Sequence, residues 1–430
     1  MRIIADLHIH SKYSRATSKD MDLEHIALAA KEKGINIIAT ADFTHPLWFK
    51  ELKEKLEPAE DGLYKLKPKA LITGSQKNIS GNNQVRFIVS TEISNIYQRG
   101  GKTRRIHNLI VLPSLEAAEK INKVLSWQGN LKSDGRPILG LDSEELLKIV
   151  FEAEPQAMFI PCHIWTPWFG VFGSMSGFDS LEEAFGENIK YISVLETGLS
   201  SDPKMNWRLS KLDNFTLVSN SDAHSPNNLG REANVFELDL NYSSLREAIL
   251  KKDKSKFLFT IEFFPEEGKY HYDGHRLCHV SMSPEERKKV KGICPVCNRP
   301  LTIGVLSRVD ELADRENGFI PHNAIPFKSL VPLKEIIAET FGVGVNTKLV
   351  EEKYRSLISS FENEFNILLD VPLEEILKVT DSEIVEGIKR VRGGNLYIEP
   401  GYDGEYGKVK IFKEEEREQL LKKPSQKELF

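Results

Sequence analysis

Cysteine is scarce in this chain, four in 430 residues, and that shortage excludes a disulfide-built scaffold. Apolar runs are short. None approaches the roughly 18 to 20 residues needed to span a bilayer, so no membrane partner is expected. The opening residues lack a basic region followed by a long apolar core, and the expected location is cytoplasmic. Positive charge is not in excess either: the net charge of −5 gives no global attraction to nucleic acid. Local basic stretches remain at Lys102, Arg104 and Arg105, at 251–256 and at 286–291, each read first as solvated surface. No internal repeat is evident, and the length favours two or three domains.

What is present is an alternation. Up to about residue 250, β-rich apolar runs (INIIATAD, RFIVSTEIS, HNLIVLP, AMFIPCH, YISVLETG, FTLVSNSDAH) are separated by amphipathic segments such as DMDLEHIALAAKEKG, where Gly34 can stop a helix. Near-continuous apolar strands between helices predict a parallel sheet with enough units to close a barrel. The polar strand ends carry the chemistry. His8 and His10 in ADLHIHS, and Asp222 and His224 in SNSDAHS, are pairs two residues apart. Side chains at that spacing share a face of a strand. Asp42, Glu92, His163 and Glu196 also fall at C-terminal strand ends, where (β/α) barrels build their sites, whereas His107 begins its run. Imidazole and carboxylate donors with few thiols suit zinc, manganese or iron, and a carboxylate such as Glu92 can bridge two ions about 3.5 to 4 Å apart.

A second constellation lies further on. His275-x2-Cys278 and Cys294-x2-Cys297, fifteen residues apart, have the spacing of two zinc knuckles, with His271 and His279 competing with His275 as fourth ligand. Beyond Arg308, helical runs are predicted near 333–341, 347–363 and 373–392. GNLYIEPGYDGEYGKVKIF then reads as a β-hairpin.

With these residues in view, the chain resembles the polymerase-and-histidinol-phosphatase (PHP) phosphoesterases. Their H-x-H matches His8 and His10, their mid-barrel Glu matches Glu92, their single histidines match His107 and His163, and their closing D-x-H matches Asp222 and His224. Two positions depart from that pattern: Arg15 replaces a usual acidic residue, and Phe43 stands where T-D-H has histidine, leaving Asp42 or His45 to fill the gap. ADFTHPLW, LETGLSSDPKMNWRLS, SNSDAHSP, KYHYDGHRLCHVS with ICPVC, RVDELADR and PGYDG are similar to the endonuclease Q branch.

The resemblance implies an α/β fold: a distorted (β/α)7 PHP barrel at 1–250, a zinc-binding module at 257–305, a mainly helical C-terminal domain at 306–415 and a flexible tail at 416–430. It implies a Zn2+ cluster of two or three ions held by His8, His10, Asp42, Glu92, His107, His163, Asp222 and His224, with Mg2+ or Mn2+ as alternatives for activity, and a structural Zn2+ held by His275, Cys278, Cys294 and Cys297. The implied partner is damaged DNA, nicked 5′ to uracil, hypoxanthine, xanthine or an abasic site, leaving a 3′-hydroxyl. Asp202, with no obvious capping partner, and Glu196 could each be a ligand or orient the attacking water. Asp202 reads equally as a turn residue before Pro203. An extruded base could stack on Trp165, Trp168, Phe169 or Phe172 in HIWTPWFGVFG, a loop that could equally be core. The alternatives are a small-molecule phosphatase and a catalytically silent DNA-binding or polymerase-accessory protein. QKELF resembles a Q-x-x-L-F sliding-clamp grip, with Gln426, Leu429 and Phe430 in the matching places.

Overall fold

One buried aliphatic residue from each of seven strands fills the interior of the first region: Ile3, Ile37, Ile88, Leu109, Ile160, Val194 and Val218. The structure, a computed structural model, describes residues 1–70 and 85–422. The strands are β1 (Arg2–Asp6), β2 (Ile37–Ala39), β3 (Arg86–Arg99), β4 (Lys102–Leu112), β5 (Met158–Pro161), β6 (Val194–Glu196) and β7 (Thr216–Val218). β1, β2 and β3 pair in parallel, as do β6 and β7. Ile164 N–H donates to Glu196 O at 3.1 Å beyond the ends of β5 and β6. The ring closes where Asp222 N–H donates to His8 O and His10 N–H to Ala223 O, at 2.9 and 3.0 Å. The distorted seven-stranded barrel is therefore present.

The distortion has a local cause. β3 and β4 form a long hairpin in which Arg99 pairs with Lys102. Its two-residue turn needs positive φ at both positions, and Gly100 and Gly101 supply 60° and 72°. β4 consequently runs antiparallel to both β3 and β5. That reversal explains the one ligand candidate that did not end a strand: in a reversed strand the N-terminal half, which carries His107, lies at the barrel mouth.

Strands Ala233–Glu237 and Phe257–Glu262 extend the sheet antiparallel from β1, and Phe327–Ser329 joins it in parallel. Between these last two lies a small hairpin of Asp273–His275 and Val280–Met282. Helices Leu333–Phe341 and Lys348–Phe361 follow the sequence expectation, but 373–392 is two helices, Leu373–Leu377 and Ser382–Gly393. The buried Lys33–Glu364 ion pair, 2.9 Å, ties this region to the barrel's first helix, Leu23–Lys33, which ends at Gly34 as expected. The hairpin Tyr397–Glu399 with Lys408–Lys410 is present. Residues expected to begin a flexible tail at 416 instead belong to helix Glu414–Lys422, where Glu416 accepts from Arg390 at 2.8 Å. Among the described residues no helix is long and apolar enough to cross a membrane.

Candidate metal centre and adjoining cavity

The strand ends at the barrel mouth are strained. Asp42, His163 and Asp222 adopt left-handed backbone with φ of 44°, 30° and 47°. Non-glycine residues rarely hold that conformation unless their surroundings enforce it. Here the result is convergence. Ligand atoms of His8, His10, Glu92 and Asp222 lie within 4.8 Å of one another, and those of Glu92, His107 and His163 form a second such group.

Glu92 joins the two groups. Its Oε2 lies 3.2 Å from His10 Nε2 and 3.6 Å from His8 Nε2, while its Oε1 lies 2.6 Å from His107 Nδ1 and 3.1 Å from His163 Nε2. Burial would raise the Glu92 pKa, but His107, Arg136 and His8 together hold it well below the carboxylate range. Burial opposes a charge on His8 and His10, yet the surrounding carboxylates hold both imidazoles well above their ordinary value. Protons therefore stand where a cation would bind, and metal uptake would release them.

Hydrogen bonding points the same way. His8 Nε2, His10 Nε2, His163 Nδ1 and Asp222 Oδ1 are buried without a hydrogen-bond partner, although His10 Nε2 and Asp222 Oδ1 are only 2.9 Å apart. His8, His10 and Asp222 converge with Glu92, and misaligned donors and acceptors crowded in this way suit metal ligation better than pairing with each other. The donor set fits a metal.

Behind the ligands stand two further carboxylates. Glu196 Oε1 and Oε2 lie 3.0 Å from His8 Nδ1, and Glu196 also accepts from His163 N and Asn220 Nδ2. Asp42 Oδ1 lies 3.3 Å from His10 Nδ1, and its Oδ2 accepts from Ser11 N, Ser11 Oγ and Ser14 Oγ. Both therefore orient a ligand from the rear, in the carboxylate–histidine–metal arrangement. Asp42, expected as an eighth ligand, is therefore outside the converging ligand atoms, whereas Glu196 forms a third such group with His8 and Cys162. His45 does not replace Asp42: it caps helix Pro46–Lys55 through Trp48 N. Asp202 is also corrected. It caps helix Pro203–Asn206, with Oδ1 accepting from Met205 N at 2.8 Å.

His224 packs on His10, ring centroids 4.4 Å apart, but its ligand atom is not among those that converge. Its Nδ1 donates to Asp222 O at 2.8 Å, which leaves Nε2 as the lone-pair nitrogen. Arg136 was not anticipated. Its Nη1 donates to Glu92 Oε2 at 3.0 Å, and the only cue in the sequence is an arginine in the turn SDGRP.

The knuckles assemble as expected. His275, Cys278, Cys294 and Cys297 bring their ligand atoms within 4.8 Å, and Cys297 Sγ lies 3.4 Å from His275 Nδ1. Burial works against it, but the N–H groups of Cys297 and Val296 pull the Cys294 thiol down to about 7. His271 and His279 are outside this group.

The aromatic loop after His163 divides in two. Trp165 is fully buried, packs on Phe172 and donates from Nε1 to Asn206 Oδ1 at 2.8 Å, so both rings are core rather than contact surface. Phe169 lies 4.3 Å from the His107 ring, and Trp168 meets Tyr270 edge-on at 5.3 Å. Trp168, Phe169, Lys269, Tyr270 and His271 line a cavity of about 390 Å³. Burial pushes the His271 imidazole down to about 4, so it is neutral at physiological pH. Gln426, Leu429 and Phe430 lie outside the described residues.

The MJ0043 C-terminal domain family matches residues 332–395. The protein MJ0043 of Methanocaldococcus jannaschii is 35% identical over 255 residues, which is 57% of this chain but only 31% of that protein. The protein YqxK of Bacillus subtilis is 26% identical over 428 residues, covering 95% of this chain and 99% of YqxK. Among solved structures, the lesion-specific endonuclease PfuEndoQ from Pyrococcus furiosus is 32% identical, with a TM-score of 0.83 and coverage of 100% of this chain and 98% of its own. A complex of endonuclease Q with a 27-mer duplex carrying an abasic lesion at the active site is equally similar, at 32% identity and a TM-score of 0.82 over 100% of both chains. A fold and a third of the sequence are thus shared from end to end, and this chain belongs to the endonuclease Q family.

Proposed function

We propose that this protein is a metal-dependent endonuclease that nicks DNA on the 5′ side of deaminated bases and abasic sites. The observation that carries the reading is Glu92, whose two oxygens face two separate histidine groups beside a cavity lined by aromatic rings. His8, His10, Glu92 and Asp222 would hold one ion, and Glu92, His107 and His163 another, with His224 beside them. Zn2+ is the first expectation, and Mn2+ or Mg2+ can substitute. When bound, such ions supply Lewis acidity and a water of lowered pKa.

The chain's own residues do the rest. Glu196 and Asp42 fix the rings of His8 and His10, so the donors do not reorganise as charge develops on the phosphate. Trp168 and Phe169 offer faces on which an extruded base can stack, and the neutral His271 adds a polar group to the same wall. The test is a set of matched duplexes, each with one uracil, hypoxanthine, xanthine or abasic site, incubated with the metal-loaded protein. A nick 5′ to the lesion, with undamaged duplex intact, is expected. Hydrolysis confined to small phosphate monoesters would overturn the reading.

A further inference from the structure

Two arginines stand at the rim of the metal centre without a task in the reaction described above. Arg136 reaches Glu92 while 27% of its side chain stays open to solvent. Arg15 is more exposed, at 76%, with Nε 3.2 Å from Asp134 Oδ2. One buried carboxylate links them: Asp134 Oδ1 accepts from the backbone N–H of Arg15 at 3.3 Å and of Arg136 at 3.1 Å.

The loop carrying Arg136 is seated firmly. Gly135 N–H donates to Tyr13 O at 3.0 Å, and its carbonyl accepts from Thr44 Oγ1 at 3.3 Å. A Cβ on Gly135 would fall 2.2 Å from Asp42 Oδ2, so the loop approaches the site as closely as only glycine permits. On the other side Pro137 O accepts from Ser94 N at 3.0 Å. The guanidinium is therefore held in place before any substrate arrives.

Each guanidinium is oriented by a carboxylate at the edge of the site, Arg136 by Glu92 and Arg15 by Asp134, and neither is enclosed. A guanidinium has five donors, and one bond to Glu92 leaves capacity for a phosphate oxygen. We infer that Arg136 and Arg15 grip successive phosphates of the DNA backbone, Arg136 at the phosphate being cut and Arg15 at its neighbour. This rests on the nuclease reading above.

The rival role for Arg136 is purely structural, holding Glu92 in place for the metals. Arg136→Gln, Arg136→Lys and Arg15→Gln should be compared with wild type on a lesion-bearing duplex and on bis(p-nitrophenyl) phosphate, with bound metal measured in each. Arg136→Gln is expected to keep its metal and lower kcat about 100-fold on both substrates, with partial recovery in Arg136→Lys. Arg15→Gln is expected to raise KM for the duplex and to reduce the slope of log affinity against log salt by about one. Metal loss in Arg136→Gln that matches its loss of activity, an unchanged kcat, or an unchanged salt slope in Arg15→Gln would each overturn the grip. A wild-type protein that hydrolyses the small diester but no lesion duplex would instead count against the nuclease reading, and the Arg136 comparison on the small diester would still stand.

Discussion

The barrel mouth and the cysteine knuckles both gather metal donors, and they do so in opposite ways. The knuckle site takes all four of its donors from one stretch, His275 to Cys297, and three are thiols. It is a closed set that leaves no position for a substrate. The barrel site draws on residues from His8 to Asp222, shares one carboxylate between two groups, and has further carboxylates behind its imidazoles. A local, closed site stabilises a small module. A dispersed site with a bridging ligand can present ions to something that binds, and it depends on the whole barrel for its geometry.

The sharpest way to break this comparison is Asp222→Asn. It removes one charged donor from the barrel and none from the knuckles. Cleavage is expected to fall by several orders of magnitude with the melting temperature nearly unchanged, measured by nicking assay and calorimetry; activity within tenfold of wild type would remove Asp222 from the ligand set.

Cys294→Ser should do the reverse. The protein is expected to lose the knuckle ion, with protease susceptibility appearing around 273–300 and the barrel ions retained, as read by elemental analysis and limited proteolysis. An unchanged ion count would mean that the knuckles hold no metal.

Glu196→Gln sharpens the role of the rear carboxylates. It keeps the shape behind His8 and removes the charge, and a 10- to 100-fold loss of metal affinity is expected from titration of the apoprotein.

The smallest effect concerns Glu262, buried beneath the mouth, where Ser219 Oγ and Thr260 Oγ1 donate to its Oε1. Burial is the main cause that pushes this carboxyl from 4.5 up to about 8. Between those values the unfolded chain has released a proton that the folded chain keeps, so stability is full below 4.5 and is lost as pH rises through 8. Glu262→Gln cannot ionise, so its melting temperature at pH 8 should exceed wild type by ~3 °C, with the difference vanishing near pH 4.5. An equal difference at both pH values would argue against titration of this group.

What the sequence reveals follows the range of the interactions. The spacing of His8 with His10, and of the four knuckle donors, needs only local geometry and can be read directly, whereas of the pair Asp222 and His224 only Asp222 joins the converging group. The roles of Glu196 and Asp42 cannot be read so, because each is set by a histidine 188 or 32 residues away. Trp165 and Trp168 are three positions apart in one aromatic loop, yet only a buried partner such as Asn206 separates the core ring from the cavity ring. Asp202 lacked a visible partner because its cap closes onto the backbone N–H of Met205, which every sequence provides. The reversed direction of β4 is legible only once Gly100-Gly101 is recognised as a tight hairpin turn.

Arg308 lies far from every barrel ligand in the sequence, on helix Val305–Leu312. Its Nε donates to Phe172 O and its Nη2 to Phe178 O, both at 3.1 Å, and it also pairs with Asp179. It thus works as a bracket, fastening the far end of the loop that starts at His163 to a helix beyond the knuckles. Tyr270 and His271, on the opposite wall of the cavity, come from that same later segment. A chain ending at residue 250 would retain every barrel ligand while losing one wall of the cavity and the bracket on the other. Shortening this protein to its metal-binding half therefore dismantles the chamber beside the metals, and the two halves of the chain are one instrument rather than a tool with a detachable handle.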